Sequence, residues 1–417
     1  MTEVSDRMSD ESMTHEQMAR AEIAEVSKLA GDNPVKLGIL TPLTGPGDSV
    51  AGVIVSRGAR IGAEYIREQG GILGGRQIDF VLRNDQATAA EEGMARSAVG
   101  ELAKLAQIDE VAGVFGQWHL RTSKYVSALA DKIGIPTFVE NGQIDVTSSG
   151  YRSIFRQYFS IADRVPLMMD YAASLGFRRI AMIAADTVFG LTTADTIEEY
   201  GTSVHGMEFL RFDFPQETTY DLSEQLKAVK DWEPDLIIND GVIRTNYLMI
   251  KQAAELGLRP QVPMMVTFGF PTRSHDFWRE AGDAGVGIMW AGIQYRPTWD
   301  GLTDIGRWFT ERYEAMYGGY APDTTLSAFT DVTILARAIE LAGTTEHDAV
   351  IEALESHEFD TWRGPLRFER GSEHWHHNMP RLQIMQYQKV GQTFDESAIV
   401  YPDSLANAAY VPADALR

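Results

Sequence analysis

Short apolar runs alternate with amphipathic segments along most of this 417-residue chain. Within residues 35–86, an apolar run at 35–40 precedes a Pro- and Gly-containing loop at 41–52, an amphipathic helical pattern, a glycine-rich turn and a second strand-like run. A short, nearly continuous apolar run is typical of a strand that is buried on both faces of a parallel sheet. The order predicts a βαβ unit. Because ligands bind at the carboxyl ends of parallel strands, the loop at 41–52 is a candidate binding surface.

The same alternation continues in two series, at residues 89–139 and 163–266. Helices and short strands that alternate at this spacing predict parallel sheets with helices on both faces, and two such series predict two lobes. After Ala291 the pattern becomes mainly helical, and strand-like segments then return at 364–368 and 381–387. We therefore expect the chain to pass between the lobes more than once. The polar tail from Thr393 is expected to be irregular.

Composition and charge narrow the possible functions. The chain is 44% hydrophobic, which is ample for two cores, and its formal net charge is -22. Such an acidic protein is a poor partner for nucleic acid or for an anionic membrane surface, because binding to phosphate needs an excess of Lys and Arg. The absence of cysteine excludes disulfides, thiolate nucleophiles and thiolate metal ligands.

The N-terminal residues bear on location. Residues 1–34 are polar, acidic and prone to form helix, and they lack the apolar core of a secretory signal. No run of about 18 apolar residues occurs in the chain, so no direct insertion into a membrane is expected. The sequence as written therefore predicts a cytoplasmic protein, or a periplasmic one if a leader is missing.

Three ordered segments carry a resemblance to a known family: ILTPLTGP at 39–46, GGILGGRQIDFVLRNDQ at 70–86 and GPLRF at 364–368. Over residues 35–387 the chain resembles the type I periplasmic solute-binding proteins of the branched-chain amino acid branch, which are the receptors of ABC importers. The resemblance implies an α/β fold with two Rossmann-like, doubly wound lobes. Three crossovers would join the lobes, which would close on a small organic ligand.

The same resemblance gives expected boundaries. Crossovers are expected near 155–159, 291–295 and 359–363. Lobe 1 would then comprise residues 35–156 and 293–358, and lobe 2 residues 157–292 and 359–390. Residues 1–34 would form an acidic N-terminal extension, either a helix that docks on a partner or an unstructured tail, and residues 391–417 would form a C-terminal tail.

Two loops of lobe 1 are implied as ligand contacts. In FGQWHLRTSKYV at 115–126, a helix N-terminus would donate to a carboxylate or amide, and Trp118 and Lys124 resemble the aromatic and basic residues of the amide- and urea-binding branch. Leu120 replaces the usual serine, and Thr122 or Ser123 are possible substitutes. The candidate contacts in the two loops are Trp118, His119, Asn141, Gly142 and Gln143.

In lobe 2 the resemblance points to Tyr158, Phe189 and Phe268, and Arg244 is a candidate to bind a carboxylate or to form a surface salt bridge with Asp240. Phe138 and Phe270 would make the pocket more aromatic. The loop at 267–270 contains no acid to pair with a ligand ammonium, which would then be buried unpaired at a cost of several kcal/mol. The ligand is expected to be an aromatic or apolar carboxylate or an amide.

The sequence gives little indication of a metal site, a catalytic site or a cofactor site. The histidines His374, His376 and His377 lack the spacing of a metal site and are expected on a strand near the hinge. Asp85 is expected to be a structural cap more than a catalytic acid, and Asp163 is expected to be a helix N-cap, with a position in the cleft as the alternative. No nucleophile elbow, phosphate-binding loop or dinucleotide fingerprint occurs, so neither a catalytic residue nor a cofactor is predicted.

Four functions remain open at this point. The leading interpretation is a transport receptor that delivers its ligand to an ABC permease. The alternative is a cytoplasmic sensor that resembles the amide-responsive regulators and signals to a partner protein. A branched-chain amino acid receptor is less favoured, and a hydrolase is least favoured because no nucleophile and base are evident.

Overall fold

The computed structural model describes residues 13–45, 49–85, 91–267, 269–274, 276–368, 370–371 and 375–416. These residues form two units. Unit 1 contains the described residues up to Ser160 together with Trp299–Pro380, and unit 2 contains Ile161–Thr298 and the described residues from Arg381 onward. The chain therefore passes between the units three times, after Ser160, Thr298 and Pro380.

The helices and strands follow one another in four segments. In unit 1 the chain first forms α1 (His15–Ser27), β1 (Val35–Thr41), α2 (Val50–Glu68), β2 (Ile78–Asn84), α3 (Glu91–Gln107), β3 (Val114–Gln117), α4 (Leu120–Ile133), β4 (Thr137–Val139) and β5 (Ile154–Phe155). In unit 2 it forms α5 (Ile161–Ser174), β6 (Arg179–Ala185), α6 (Val188–His205), β7 (Glu208–Phe214), α7 (Ser223–Trp232), β8 (Leu236–Asp240), α8 (Arg244–Glu255), β9 (Met264–Val266), α9 (Phe270–Arg273), α10 (Phe277–Ala281) and β10 (Ile288–Ile293). Back in unit 1 it forms α11 (Asp304–Tyr317), α12 (Asp323–Ala342), α13 (His347–Ser356), β11 (Glu358–Thr361) and β12 (Gly364–Arg367). It ends in unit 2 with β13 (Leu382–Gln386) and β14 (Ala398–Tyr401).

The sheet of unit 1 has the order β2-β1-β3-β4-β5, and all of these strands are parallel. Alternate residues of β1 enter two different cores, as the pleat of a strand requires. Leu37 and Ile39 pack on the side of α2 and α12, whereas Leu40 packs with Leu102 of α3 and Val126 of α4. Helices thus cover both faces, which confirms the doubly wound α/β lobe.

Two glycines let α2 approach α12 closely. Gly58 and Gly62 are four residues apart and therefore lie on one face of α2. A methyl group at Gly58 would collide with the carbonyl oxygen of Thr325, and one at Gly62 would lie 2.7 Å from a Cγ of Val332. The Thr325 hydroxyl donates to the Ile54 carbonyl oxygen at 3.0 Å. The two helices are packed through their backbones.

The sheet of unit 2 has the order β14-β13-β10-β9-β8-β6-β7 among the described residues, and only β13 and β14 run antiparallel to their neighbours. The C-terminal tail, which was expected to be irregular, thus supplies β14 as an edge strand. Its residues Ala398 and Val400 are buried. Every second residue of this four-residue strand is buried. The strand was not predicted because the tail as a whole has a polar composition.

The expected boundary of the second lobe is also displaced. The predicted third crossover at 359–363 lies inside unit 1, and the chain leaves that unit only after Pro380. The hairpin of β11 and β12 belongs to unit 1 because Phe359, Leu366 and Phe368 are buried in its core. Phe368 lies edge-on to Phe155 with ring centroids 5.2 Å apart.

The N-terminal helix α1 is an integral part of unit 1. Thr14 caps it through a reciprocal bond pair with Gln17, and Ile23 and Val26 are buried in the same core as Val35. The apolar face of α1 is therefore covered by this chain, in contrast to the expected docking helix or unstructured tail. None of the helices in the described part of the chain is long and apolar enough to cross a membrane.

Glu22 is the polar anchor of α1. Its carboxylate accepts hydrogen bonds from Arg60 at 2.8 Å and from the Tyr317 hydroxyl at 2.7 Å, and it lies 3.5 Å from Arg57. The side chain is only 13% exposed, so the charge is largely shielded from water. One carboxylate thus joins α1 to α2 and α11.

We predict that Glu22→Gln lowers the free energy of unfolding by about 2 kcal/mol, because hydrogen bonds to a shielded charge are worth about 1.5–3 kcal/mol each. Glu25→Gln is the control on the same helix. Glu25 pairs with Lys28 at the surface, and its loss is expected to leave the free energy of unfolding nearly unchanged because water screens exposed ion pairs. Urea-induced unfolding measures both variants. Equal effects of the two substitutions would contradict the anchoring role of Glu22.

Candidate functional site

Buried polar residues gather where the strands of unit 1 end. Thr41 ends β1, Asp85 follows β2, Gln117 ends β3 and Glu140 follows β4, and all four are at most 3% exposed. Because the strands are parallel, these residues share the carboxyl edge of the sheet, which is where α/β proteins bind ligands. This edge is the candidate site of unit 1.

Asp85 and His119 form a pair at this edge. Asp85 Oδ2 lies 3.0 Å from His119 Nδ1, and the Asp85 N–H donates to the Thr41 carbonyl oxygen at 3.1 Å. His119 directly precedes α4 and is 21% exposed. The expected role of Asp85 as a structural cap is therefore incomplete, because its carboxylate orients a side chain of the predicted ligand loop.

The loop after β4 is braced by its own polar side chains. Asn141 donates to the Gln117 carbonyl oxygen at 2.8 Å and accepts from the N–H of Gln143 at 3.0 Å. Arg156, which is fully buried, donates to the Gln143 carbonyl oxygen and to the Thr147 hydroxyl. Asn141 thus links the loops after β3 and β4, and Gly142 and Gln143 are the partly exposed members of the predicted set.

Glu140, the first residue of this loop, points away from solvent toward α12. Its carboxyl group lies beside that of Asp331, and Gln157 donates to Asp331 Oδ1 at 3.2 Å. Burial raises the pKa of Glu140 to about 7, although its contacts with Asp331 and Gly116 oppose the shift. Burial and the charge of Glu140 raise the pKa of Asp331 well above its usual range. The two acids therefore share a proton at neutral pH.

Unit 2 has its own cluster at the carboxyl edge of its sheet. Arg164 of α5 is 4% exposed and donates from Nη1 to the Thr267 carbonyl oxygen at 2.7 Å. A weaker contact of 3.4 Å joins Nη2 to the Thr193 hydroxyl. The guanidinium also lies over the ring of Phe189, 5.2 Å from its centroid. A cation and an aromatic ring therefore meet next to the loop that follows β9.

Asp240, the last residue of β8, completes this cluster. The Thr267 hydroxyl donates to Asp240 Oδ1. Burial raises the pKa of Asp240 to about 8, against the opposing effect of this hydrogen bond and of Arg164. The acid that the loop at 267–270 lacks is thus supplied by the neighbouring strand, but in a form that is mostly protonated at neutral pH.

Phe189 is placed by the start of α6. Thr187 caps this helix by accepting the N–H of Gly190 at 3.0 Å, and a side chain at Gly190 would collide with the Ala185 carbonyl. The turn between β6 and α6 is therefore tight. Phe189 remains partly exposed beside Arg164, as its predicted role as a ligand contact requires.

The structure does not support a free Arg244. Its guanidinium donates to the carbonyl oxygens of Thr219 at 2.7 Å and Gln216 at 3.0 Å, and it lies 4.3 Å from the ring centroid of Tyr220. Arg244 is exposed and braces a surface loop. It forms no salt bridge with Asp240, whose carboxyl group is bonded to Thr267. Arg164 is the arginine of the unit 2 cluster.

The predicted aromatic residues divide into three classes. Trp118 and Phe189 are partly exposed. Tyr158 is also partly exposed and stacks on Phe159 with ring centroids 4.2 Å apart. Phe138 is fully buried and stacks on Phe155 at 5.6 Å, so it belongs to the core of unit 1. Phe268 lies outside the described residues.

Other predicted side chains have local roles. Leu120 is buried, Thr122 donates its hydroxyl to the His119 carbonyl oxygen at 3.3 Å, and Lys124 is exposed beside Tyr125. Asp163 lies in the first turn of α5, which begins at Ile161. The predicted N-cap at Asp163 is therefore wrong, because the helix starts two residues earlier.

Two of the predicted histidines, His376 and His377, make structural contacts within unit 1. His376 is buried between the Ile154 carbonyl oxygen and Glu355, and it stacks on Phe155. His377 lies 3.0 Å from the Tyr158 carbonyl oxygen and pairs with Arg156 in a parallel bridge, close to the expected strand. His374 lies outside the described residues, within which no three metal-ligating side chains come together.

Sequence reasoning missed Arg164 and the roles of Asp85 and Asp240. Both acids stand at the end of an apolar strand pattern, FVLRND and LIIND, and this position is the signal that identifies carboxyl-edge residues. Arg164 carries no such signal, since its neighbours in the sequence are typical of an amphipathic helix. Its position depends on how α5 packs against the sheet.

The chain is similar to known proteins over most of its length. The family described as periplasmic binding protein matches residues 34–392. The Leu/Ile/Val-binding protein homolog 7 of Brucella abortus is 23% identical over 398 residues, which cover 89% of this chain and 92% of that protein.

Solved structures agree in fold. The leucine binding protein from Thermotoga maritima has a TM-score of 0.71 and 20% identity, with 89% of this chain and 99% of that chain covered. An ABC transporter solute binding protein from R. palustris in complex with benzoate has a TM-score of 0.72 and 19% identity, with coverage of 91% and 99%. At these identities the similarity establishes the fold alone.

We predict that the Glu140–Asp331 pair makes this protein less stable as the pH rises. Between the usual pKa of 4.5 and about 7, the unfolded chain has lost the proton that folded Glu140 retains, so the free energy of unfolding falls across this window and stays lower above it. Glu140→Gln removes this loss. The thermal midpoint of the variant minus that of the original protein should therefore increase from pH 5 to pH 9.

Glu352→Gln is the control for this comparison, because Glu352 is an exposed carboxylate of unit 1. Its midpoint should follow that of the original protein at every pH. A difference between Glu140→Gln and the original protein that does not change with pH would contradict the shared proton.

Proposed function

Because the chain belongs to the periplasmic binding protein family, we propose that it is a receptor for a small organic solute that carries a carboxylate or amide group on an aromatic or apolar body. The resemblance to type I binding proteins of the branched-chain amino acid branch is confirmed. The solute class goes beyond what the family establishes.

The unit 2 cluster carries this proposal. Arg164 combines a buried guanidinium with an aromatic neighbour, Phe189, and with the loop that begins at Thr267. A guanidinium suits a carboxylate, and an aromatic face suits an aromatic or apolar body. The R. palustris protein that binds benzoate shows that a protein of this fold takes a ligand of this kind.

The state of Asp240 disfavours a zwitterionic amino acid. Its pKa of about 8 leaves it mostly neutral at pH 7, and a neutral acid does not compensate the charge of an ammonium group. The buried charge of Arg164 favours the opposite sign. The cluster as a whole therefore suits an anionic or neutral acceptor better than a cation.

The receptor is proposed to serve transport. Its family consists of binding proteins, and the similar structures include ABC transporter solute-binding proteins. We infer that the ligand is released unchanged to an ABC permease and that no reaction occurs at the site. Chemical conversion of a bound solute by the purified protein would contradict this part of the proposal.

We predict that benzoate raises the thermal midpoint of the protein more than leucine does, because the unit 2 cluster suits a carboxylate on an aromatic body. A ligand that binds only the native state and is present at 100 times its Kd stabilises the protein by about 2.7 kcal/mol. Arg164→Met should weaken benzoate binding at least tenfold by titration calorimetry, and Arg164→Lys should fall between. Arg244→Met should bind benzoate as the original protein does, since Arg244 is bonded to surface carbonyls.

Two results would contradict this proposal. Stronger stabilisation by leucine than by benzoate would indicate a branched-chain amino acid receptor. Loss of benzoate binding in Arg244→Met, together with unchanged binding in Arg164→Met, would show that the wrong arginine had been assigned to the site.

A further inference from the structure

The loop at 41–52, the first candidate binding surface, is held in place by β2. Asn84, the last residue of β2, accepts the N–H of Leu43 at 3.0 Å and donates to the Thr44 hydroxyl at 2.7 Å. The structure describes this loop except for residues 46–48. Its first part is thus fixed to the carboxyl edge of the unit 1 sheet, which is where α/β proteins bind ligands.

Helix α1 contacts the same loop at two points. Ala19 of α1 is fully buried and packs with Leu43 of the loop and with Val53 of α2 in one apolar cluster. His15, the first residue of α1, places its Nδ1 2.8 Å from the Ser49 hydroxyl. One contact lies near the start of the loop and the other near its end, so the position of α1 affects both.

Leu43 depends on both helices that surround it. Its side chain is 1% exposed. A methyl group at Gly52 of α2 would lie 2.8 Å from Leu43 Cδ2 and would collide with the Pro42 carbonyl oxygen, so α2 approaches the loop closely. Ala19 of α1 covers Leu43 as well. If α1 moved away, Leu43 would lose part of its apolar contact, and the loop would be less firmly held.

Helix α1 is fixed to unit 1 by contacts that do not involve the loop. Glu22 bonds to Arg60 and Tyr317, and Ile23 is buried in the core. The family match begins only at residue 34, after the end of α1. The helix therefore supplies a firm support for the loop, and membership of the family does not by itself imply this support.

We propose that α1 is a positioning element of the binding site, which holds the loop at 41–52 in the conformation that binds the ligand. Ala19 and His15 are its positioning residues. This inference rests on the proposed function, because the loop has a ligand to bind only in a receptor. Without these contacts the loop adopts the binding conformation for part of the time. The apparent Kd rises by the inverse of that fraction, so a loop that is competent for about one third of the time binds about threefold more weakly.

Ala19→Gln is the first test, because it places a longer, polar side chain between α1 and Leu43. Ala24→Gln makes the same change on the exposed face of α1. Titration calorimetry with benzoate on the full chain should show binding that is weaker by about fivefold or more for Ala19→Gln and unchanged for Ala24→Gln. Glu22→Gln should also bind benzoate as the original protein does, since it lowers stability without removing a contact to the loop.

His15→Ala and Ser49→Ala are milder variants that leave the buried cluster intact. Each should weaken benzoate binding by about two- to threefold, because one exposed hydrogen bond makes a modest net contribution. The double variant should bind no more weakly than either single variant, because both substitutions remove the same contact. Additive effects of the two substitutions would overturn the role of this contact.

Hydrogen exchange measured by mass spectrometry tests the loop directly, without a ligand. A peptide that contains Leu43 and Ser49 should exchange faster in Ala19→Gln and His15→Ala than in the original protein, because its N–H groups are less firmly held. A peptide that covers residues 137–143 should exchange at the original rate in both variants, which shows at the same time that unit 1 is folded.

The outcomes separate this inference from the proposed function. Unchanged benzoate affinity in Ala19→Gln, or equal weakening by Ala19→Gln and Ala24→Gln, would overturn the positioning role of α1 and leave a solute receptor. Unchanged exchange of the loop in both α1 variants would overturn that role as well. Failure of the original protein to bind either benzoate or leucine would overturn both.

Discussion

The parallel sheets of the two units constrain everything else in this protein. Strands such as β1 and β8 are almost entirely buried, so most of their side chains before the last residues are apolar, and their backbone groups pair within the sheet. Polar chemistry is therefore confined to the residues at which the strands end. Thr41, Asp85 and Gln117 in unit 1 and Asp240 in unit 2 obey this constraint, and the candidate site follows from it.

A carboxyl group at such an edge is shielded from water, and keeping it charged there costs free energy. The structure compensates for this cost in three ways. Asp85 has a histidine beside it, Asp240 accepts a hydroxyl hydrogen bond near a guanidinium, and Glu140 shares a proton with Asp331. In two of the three arrangements burial raises the pKa of the acid, namely Asp240 and Glu140, although hydrogen bonds oppose the shift. The chemistry offered to a ligand is set by these partners more than by the acids.

The local pattern of the sequence was sufficient for the elements but not for their side-chain partners. The predicted helices and strands of the two series are present, because periodicity and strand length are local properties. The pair of Asp85 with His119 spans 34 residues, and the bond between Arg164 and Thr267 spans 103. These contacts form only when elements that are distant in the sequence pack together, so the local sequence pattern does not reveal them. For the same reason Arg244, which looked well placed along the chain, is tied to a surface loop. The N-terminal segment was predicted to be helix-prone but not to pack on the core of unit 1, and β14 was not predicted.

These partners bear on the charge of the ligand. The loop at 267–270 lacks an acid, but Asp240 reaches Thr267 from the neighbouring strand, so the composition of one loop is insufficient to exclude an ammonium ligand. Burial raises the pKa of Asp240 to about 8, and this is a stronger reason to disfavour an ammonium ligand. A neutral acid beside the buried Arg164 leaves unit 2 with a net positive cluster, and the carboxyl edge of unit 1 contributes a histidine next to the positive end of α4. These features support the proposed carboxylate or amide ligand, and this support does not depend on the absence of any single residue.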